Sequence, residues 1–173
     1  MKRLLVLLMT CIMIFSIAAC AGSNSNPTGN NNGGKGKNLE GSLETILDKI
    51  YDTAQVDNNF KDFIKNGLMT TPINPDNIKY HLGLEELDFV EAIASEPMIQ
   101  PGAYSLCLVR VKEGADIEKI KADIKENVDP RKWVCVGVDP KNVIVDSIGD
   151  VIFLVMSNDQ AQPLHEAFTA LGK

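Results

Sequence analysis

The sequence predicts an α+β domain: a mainly antiparallel sheet of about five strands packed with helices, with an additional helical segment on its N-terminal side. Three observations predict it. Apolar residues recur at helical spacing around residues 43–54, 117–128 and 161–171. Alternating or continuous apolar runs, rich in Val and Ile, fill residues 104–112, 143–148 and 151–156. Most neighbouring runs are joined by short turns, which favours antiparallel pairing.

The first helix follows from Leu43, Ile46, Leu47, Ile50, Tyr51 and Ala54, with Ser42 as its N-cap. A short second helix holds Phe60, Phe63 and Ile64 and ends at Gly67. A third starts at Asn74, with Pro75 in its first turn, and stops at Gly83. Leu87 to Ala94 reads as a strand, although Leu84 to Ser95 also fits a helix. Glu96 to Gly102 reads as a long turn. Tyr104 to Lys112 is a strand with Leu106, Leu108 and Arg110 on one side and Cys107, Val109 and Val111 on the other. Asp116 caps a helix whose stripe is Ile117, Ile120, Ile124 and Val128, closed by Pro130.

Val134–Val138, Val143–Ile148 and Val151–Met156 are the remaining strands. The last is apolar on both faces, which suits a central strand covered on both sides, or one face under a loop. The final helix uses Ala161, Leu164, Phe168 and Leu171 and starts near Asp159 or Gln160. The helices at 115–128 and 159–171 are both expected over one face. The halves 87–128 and 143–171 share the order strand, strand, helix, the pattern a weak duplication would leave, but without convincing sequence identity between them.

Ahead of this domain the chain has a different character. Lys2 and Arg3 precede a run from Leu4 to Phe15 that is apolar except for Thr10, then the small residues Ser16, Ala18 and Ala19. That is an export leader over residues 1–19. Ile17-Ala18-Ala19-Cys20 resembles the bacterial lipobox, in which the cysteine thiol takes a diacylglyceryl group and the chain is cut just before it. The chemistry needs sulfur as nucleophile and small neighbours for access to the scissile bond. Two acyl chains make a durable anchor at about 0.8 kcal/mol per buried CH₂. An ordinary signal peptide with Cys20 incidental is the other reading.

Residues 20–38, the Cys20 position and the run AGSNSNPTGNNNGGKGKN, read as a flexible linker with a span of roughly 25 Å. Residues 39–173 then form a single globular domain. Without Lys2 and Arg3, 15 basic and 23 acidic residues leave a charge of about −8. Nucleic acid is excluded as an expected partner, since phosphate contacts need clustered cations. An acidic surface also gains nothing from anionic headgroups, so the lipid is the membrane contact. Export permits a Cys107–Cys135 disulfide, but buried free thiols are preferred for both.

No local motif declares chemistry. His81 and His165 lie in no metal-spaced cluster, and His165 reads as a solvated helix side. No phosphate loop or nucleophile elbow occurs. Glu85, Glu86, Asp88 and Glu91, and Asp146 with Asp150, read as surface charge and turn caps, with acid–base work or calcium binding as the sharper alternative. No cofactor and no catalytic residue is assigned. Met98, Ile99, Arg131 and Trp133 are the candidate interaction surface: the first two sit on a proline-flanked loop, the others beside a helix end. Two other readings stand beside it: Met98 and Ile99 tucked into the core, and, preferred for the helix end, Trp133 as the core-facing start of a strand with Arg131 closing the helix C-terminus.

The segments Tyr80-His81-Leu82-Gly83, Ala94-Ser95-Glu96-Pro97-Met98, Asn127 to Trp133 and Val143 to Asp150 resemble a family of small lipoproteins from Gram-positive, clostridia-like bacteria. The resemblance spans residues 40 to 172, and the family shares a domain of unknown function. It implies export and anchoring at the outer face of the cytoplasmic membrane, and implies no substrate, cofactor or catalytic group. The expected function is a binding module of the cell envelope, with another envelope protein or a wall ligand as partner. The alternatives are an envelope enzyme with a non-local acidic site and a small-molecule capture lipoprotein.

Overall fold

The computed structural model describes residues 36–173. The leader, Cys20 and most of the linker lie outside the described residues. No described helix is long and apolar enough to cross a membrane.

The elements run α1 (Leu43–Thr53), α2 (Asn58–Asn66), β1 (Leu68–Pro72), α3 (Ile78–Leu82), β2 (Phe89–Pro97), β3 (Tyr104–Val111), α4 (Ile117–Asn127), β4 (Val143–Ile148), β5 (Val151–Ser157) and α5 (Ala161–Ala170). The five strands form one antiparallel sheet in the order β1-β2-β3-β5-β4. The α+β class with about five strands is therefore the observed one.

Local chemistry sets the helix ends. Ser42, Asp57 and Asp116 each accept a hydrogen bond from the backbone N–H three residues on. Asn74 starts the expected turn, accepting from the Asp76 N–H at 2.9 Å, but regular helix begins only at Ile78. Gly83 ends α3 with φ 75°, and a Cβ there would lie 2.3 Å from the Asn127 backbone. Only glycine lets α3 end against the end of α4.

Alternation along the strands divides the core into two layers. Tyr104, Leu106 and Leu108 of β3 and Val151, Phe153 and Val155 of β5 face α1 and α5, with Phe60 and Phe63 of α2 at the margin. Cys107, Val109 and Val111, with Ile152, Leu154 and Met156, face α3, α4 and the segment 128–138. The expected two sides of β3 and the central, doubly covered position of β5 are both present.

Four sequence expectations are corrected. Helices α4 and α5 cover opposite faces, because β5 is apolar on both sides and each face needs its own cover. A two-fold axis normal to the sheet would put both helices on one face, so the halves are not related by such an axis. Val134–Val138 is not a strand: Cys135 sits at φ 64° and breaks the extended run, while Trp133 and Val138 plug the core from irregular backbone. The fifth strand is instead β1, Leu68–Pro72, whose Thr-Thr-Pro sequence carries no apolar alternation. Finally, Glu96 and Pro97 belong to β2 rather than to a turn, paired with Met69 and Leu68.

The sheet has two distinct ends. At one, Arg110 donates to the carbonyls of Leu39 at 3.0 Å and Gly41 at 2.7 Å, fixing the entering chain. Gly149 there has φ 55°, and a Cβ on it would collide with Asn38 at 2.5 Å. Asn38 is thus seated on the β4–β5 turn. The other end, roughly 24 Å along β3 at about 3.4 Å per residue, carries the loops 98–103 and 129–142.

Candidate functional site

The end remote from the entering chain holds most of the exposed large apolar side chains. Met98 is 52% and Ile99 82% exposed, on the turn between β2 and β3. Met69 is directly across from Glu96 on the neighbouring strand. Tyr80 and Val134 are also exposed, while Val90 lies at the opposite end of β2. Arg131 is exposed, and its stem packs near Gly137. Trp133 is only 5% exposed, so the four residues expected as one contact surface separate: Met98, Ile99 and Arg131 face solvent, and Trp133 fills the core. A ring on irregular backbone next to a helix end turned inward because the face under α3 and α4 had a gap to fill.

Lys132, the neighbour of Trp133, is the residue sequence reasoning missed. Its side chain is 4% exposed, and its ammonium donates to Glu96 Oε1 at 2.6 Å. The Tyr80 ring lies 4.3 Å above the ammonium and the Trp133 ring 5.4 Å away, both within cation–π range. Ser105 Oγ is 3.5 Å from the ammonium and 3.5 Å from Cys107 Sγ. His81 Nδ1 also lies 3.5 Å from Glu96 Oε1, but it has no well-formed hydrogen bond, nor does Trp133 Nε1.

Burial alone would raise the Glu96 carboxyl; His81 and the Lys132 charge reverse this and hold it at about 2. Of the two neighbours the ammonium is the stronger, since 3.5 Å is long for a hydrogen bond. Burial pushes the Cys107 thiol up to about 11, which keeps it protonated and unreactive. The cluster is an ion pair sealed under aromatic rings. No nearby signal in the sequence marks it, because Lys132 and Glu96 are 36 positions apart.

Other polar groups are distributed rather than convergent. On the opposite face Tyr51 donates to Ser95 Oγ at 2.8 Å and meets the Tyr104 hydroxyl at 2.9 Å. Burial drives Tyr51 up to about 12 and Tyr104 well above the usual phenol range. His165 is not a simple solvated side: its Nε2 meets Asp146 Oδ2 at 2.7 Å. Burial tends to raise the Asp146 carboxyl, but His165, the Ser147 N–H and Lys121 lower it overall. The acidic run from Glu85 to Glu91 is dispersed, with Glu85 on Lys79, Asp88 on Lys112 and Glu91 on Arg110. Asp150 also closes on Arg110, at 3.1 Å, and not on Asp146.

Cys107 is buried and free as expected; Cys135 is free but exposed, carried outward by its left-handed backbone. Among the described residues no three His, Cys, Asp or Glu side chains converge as a metal site would require. One cavity, of about 320 Å³, lies between Lys37–Glu40 and the C-terminus, and another, of about 410 Å³, between α4 and β4. Neither reaches the Glu96–Lys132 cluster. No protein-family model, no curated protein and no solved structure matches the chain.

Proposed function

We propose that this chain is a lipid-anchored interaction module of the bacterial cell envelope, exported, cut before Cys20 and held at the outer face of the cytoplasmic membrane. The observation that carries the binding half is the placement of Met98 and Ile99. Both are exposed on a turn flanked by Pro97 and Pro101, at the end of the sheet remote from the entering chain. Exposed apolar side chains on a rigid scaffold are the ordinary material of a contact surface. Glu96, near the end of β2 that leads into this turn, is ion-paired with Lys132. The anchoring half rests on the leader, the lipobox-like Ile17-Ala18-Ala19-Cys20 and the polar linker, with which the resemblance to small Gram-positive lipoproteins agrees.

Two experiments test the halves separately. Mass spectrometry of the mature N-terminus should find a diacylglyceryl group on Cys20, and Cys20→Ala should release the protein from cells; retention of the variant would remove the anchor. Envelope extracts passed over the protein should yield a partner whose capture falls at least tenfold with Met98→Ser plus Ile99→Ser and is unchanged by Val90→Ser. Equal loss with both variants would dissociate binding from that turn.

A further inference from the structure

We propose that two copies of this chain pair edge to edge through β1, antiparallel, in the register that sets Met69 opposite itself. The two edges of the sheet are treated differently, and β1 is the open one. The Met98 N–H donates to the Gly67 carbonyl at 2.9 Å, and the Ile73 N–H to the Ala92 carbonyl at 2.8 Å. In an antiparallel ladder inward and outward bonding alternate. Gly67, Met69, Thr71 and Ile73 therefore bond to β2, and Leu68, Thr70 and Pro72 turn their backbone groups outward.

Pro72 has no N–H, and its carbonyl already accepts from Asn77 Nδ2 at 3.2 Å. The N–H and C=O of Leu68 and Thr70 have no partner on the outer side among the described residues. β4 is guarded near its two ends by contrast, and keeps open outward backbone groups only at Val145 and the Ser147 carbonyl among the described residues. Lys125 donates to the Val143 carbonyl, the Val143 N–H closes on Pro140, and the Ser147 N–H donates to Asp146 Oδ1 at 2.8 Å. Charged side chains over an edge are how sheets avoid pairing with another molecule. β1 contains no charged residue.

The open groups are self-complementary in only one arrangement. With Met69 facing Met69, Leu68 of one copy lies opposite Thr70 of the other, and every open N–H and C=O of β1 gains a partner. Centring the pair on Thr70 would bring Leu68 against Pro72, which offers no donor and a carbonyl already in use. In the favoured register the Met69 side chains, each half exposed, meet across a non-hydrogen-bonded pair, where Cα atoms approach to about 4.5 Å. The seam is short, so the association belongs to the weak class and grows when copies share a confined space. It does not depend on the lipid anchor.

Cross-linking of the full chain tests the register. In a Cys135→Ser background, Met69→Cys should give a disulfide-linked dimer of this chain under mild oxidation, at least tenfold above both the parent and Val90→Cys. Adding Thr70→Pro, an outward position where proline is tolerated, should reduce the dimer at least tenfold while circular dichroism stays unchanged. A Met69→Cys protein that remains monomeric, or links chiefly to another polypeptide, would overturn the proposal, as would equal cross-linking from Val90→Cys.

Discussion

The two faces of the sheet are covered by different means. Under α1 and α5 the layer is centred on Phe153 stacked against Phe168 with ring centroids 4.7 Å apart; its three buried hydroxyls satisfy one another, and its charged groups, Arg110 with Asp150 and His165 with Asp146, lie paired at its part-exposed margins. Under α3 and α4 the cover is incomplete, and the irregular segment 128–138 closes it with Trp133, Val138 and the buried ammonium of Lys132. The first face gains stability from regular packing. The second also depends on one charge pair, and Trp133 Nε1 and His81 Nδ1 are left without partners there. An unpaired buried polar atom costs about 1–3 kcal/mol, so the second face should be the weaker and the more sensitive to solution conditions.

The largest expected effect lies on the dry face. Phe168→Ala should cost about 3–5 kcal/mol in urea unfolding, since a fully buried ring is removed from a packed layer. On the ionic face Lys132→Ala should cost about 2–4 kcal/mol, because Glu96 would keep a largely buried charge without its partner. A loss below about 1 kcal/mol, against a large one for Phe168→Ala, would mean the ion pair contributes little and the faces differ only in shape.

Acid should separate the faces next. The Glu96 carboxyl is held at about 2, below its ordinary 4.5, so its contribution is fully present above 4.5 and is lost as pH falls through about 2. Two and a half units correspond to about 3 kcal/mol, discounted to about 2 because Glu96 is partly solvated. Urea midpoints measured between pH 5 and 2 should fall in the wild type, and fall less in Lys132→Ala, where the carboxyl loses its main stabilising charge. Parallel pH curves for the two proteins would detach the acid response from this pair. The smallest effect belongs to the hydroxyl group: Tyr51→Phe should cost about 1 kcal/mol, one net hydrogen bond, with no change in acid response.

The contrast between the faces also explains what could be read in advance. The helices α1, α4 and α5 announce themselves because an amphipathic stripe and its cap are local, and Ser42 and Asp116 cap where expected. β3, β4 and β5 are equally plain from their apolar runs. β1 was not legible, because an edge strand of Leu-Met-Thr-Thr-Pro is held by pairing with β2 rather than by its own pattern. Val134–Val138 misled for the converse reason: it has a strand's composition, but Cys135 turns the backbone. Of the proposed contact residues, Met98, Ile99 and Arg131 face solvent, whereas Trp133 faces the core, as the preferred reading has it, but from irregular backbone rather than from a strand.

Sequence alone determined the α+β class, the capped helices and the sides of β3, since each depends on residues a few positions apart. Tertiary structure decided that α4 and α5 lie on opposite faces and that Lys132 is buried against Glu96. It also decided that β1 is left open while β4 is guarded. Those outcomes depend on which distant segments share one surface, and burial and hydrogen bonding are settled only when the chain has closed around them.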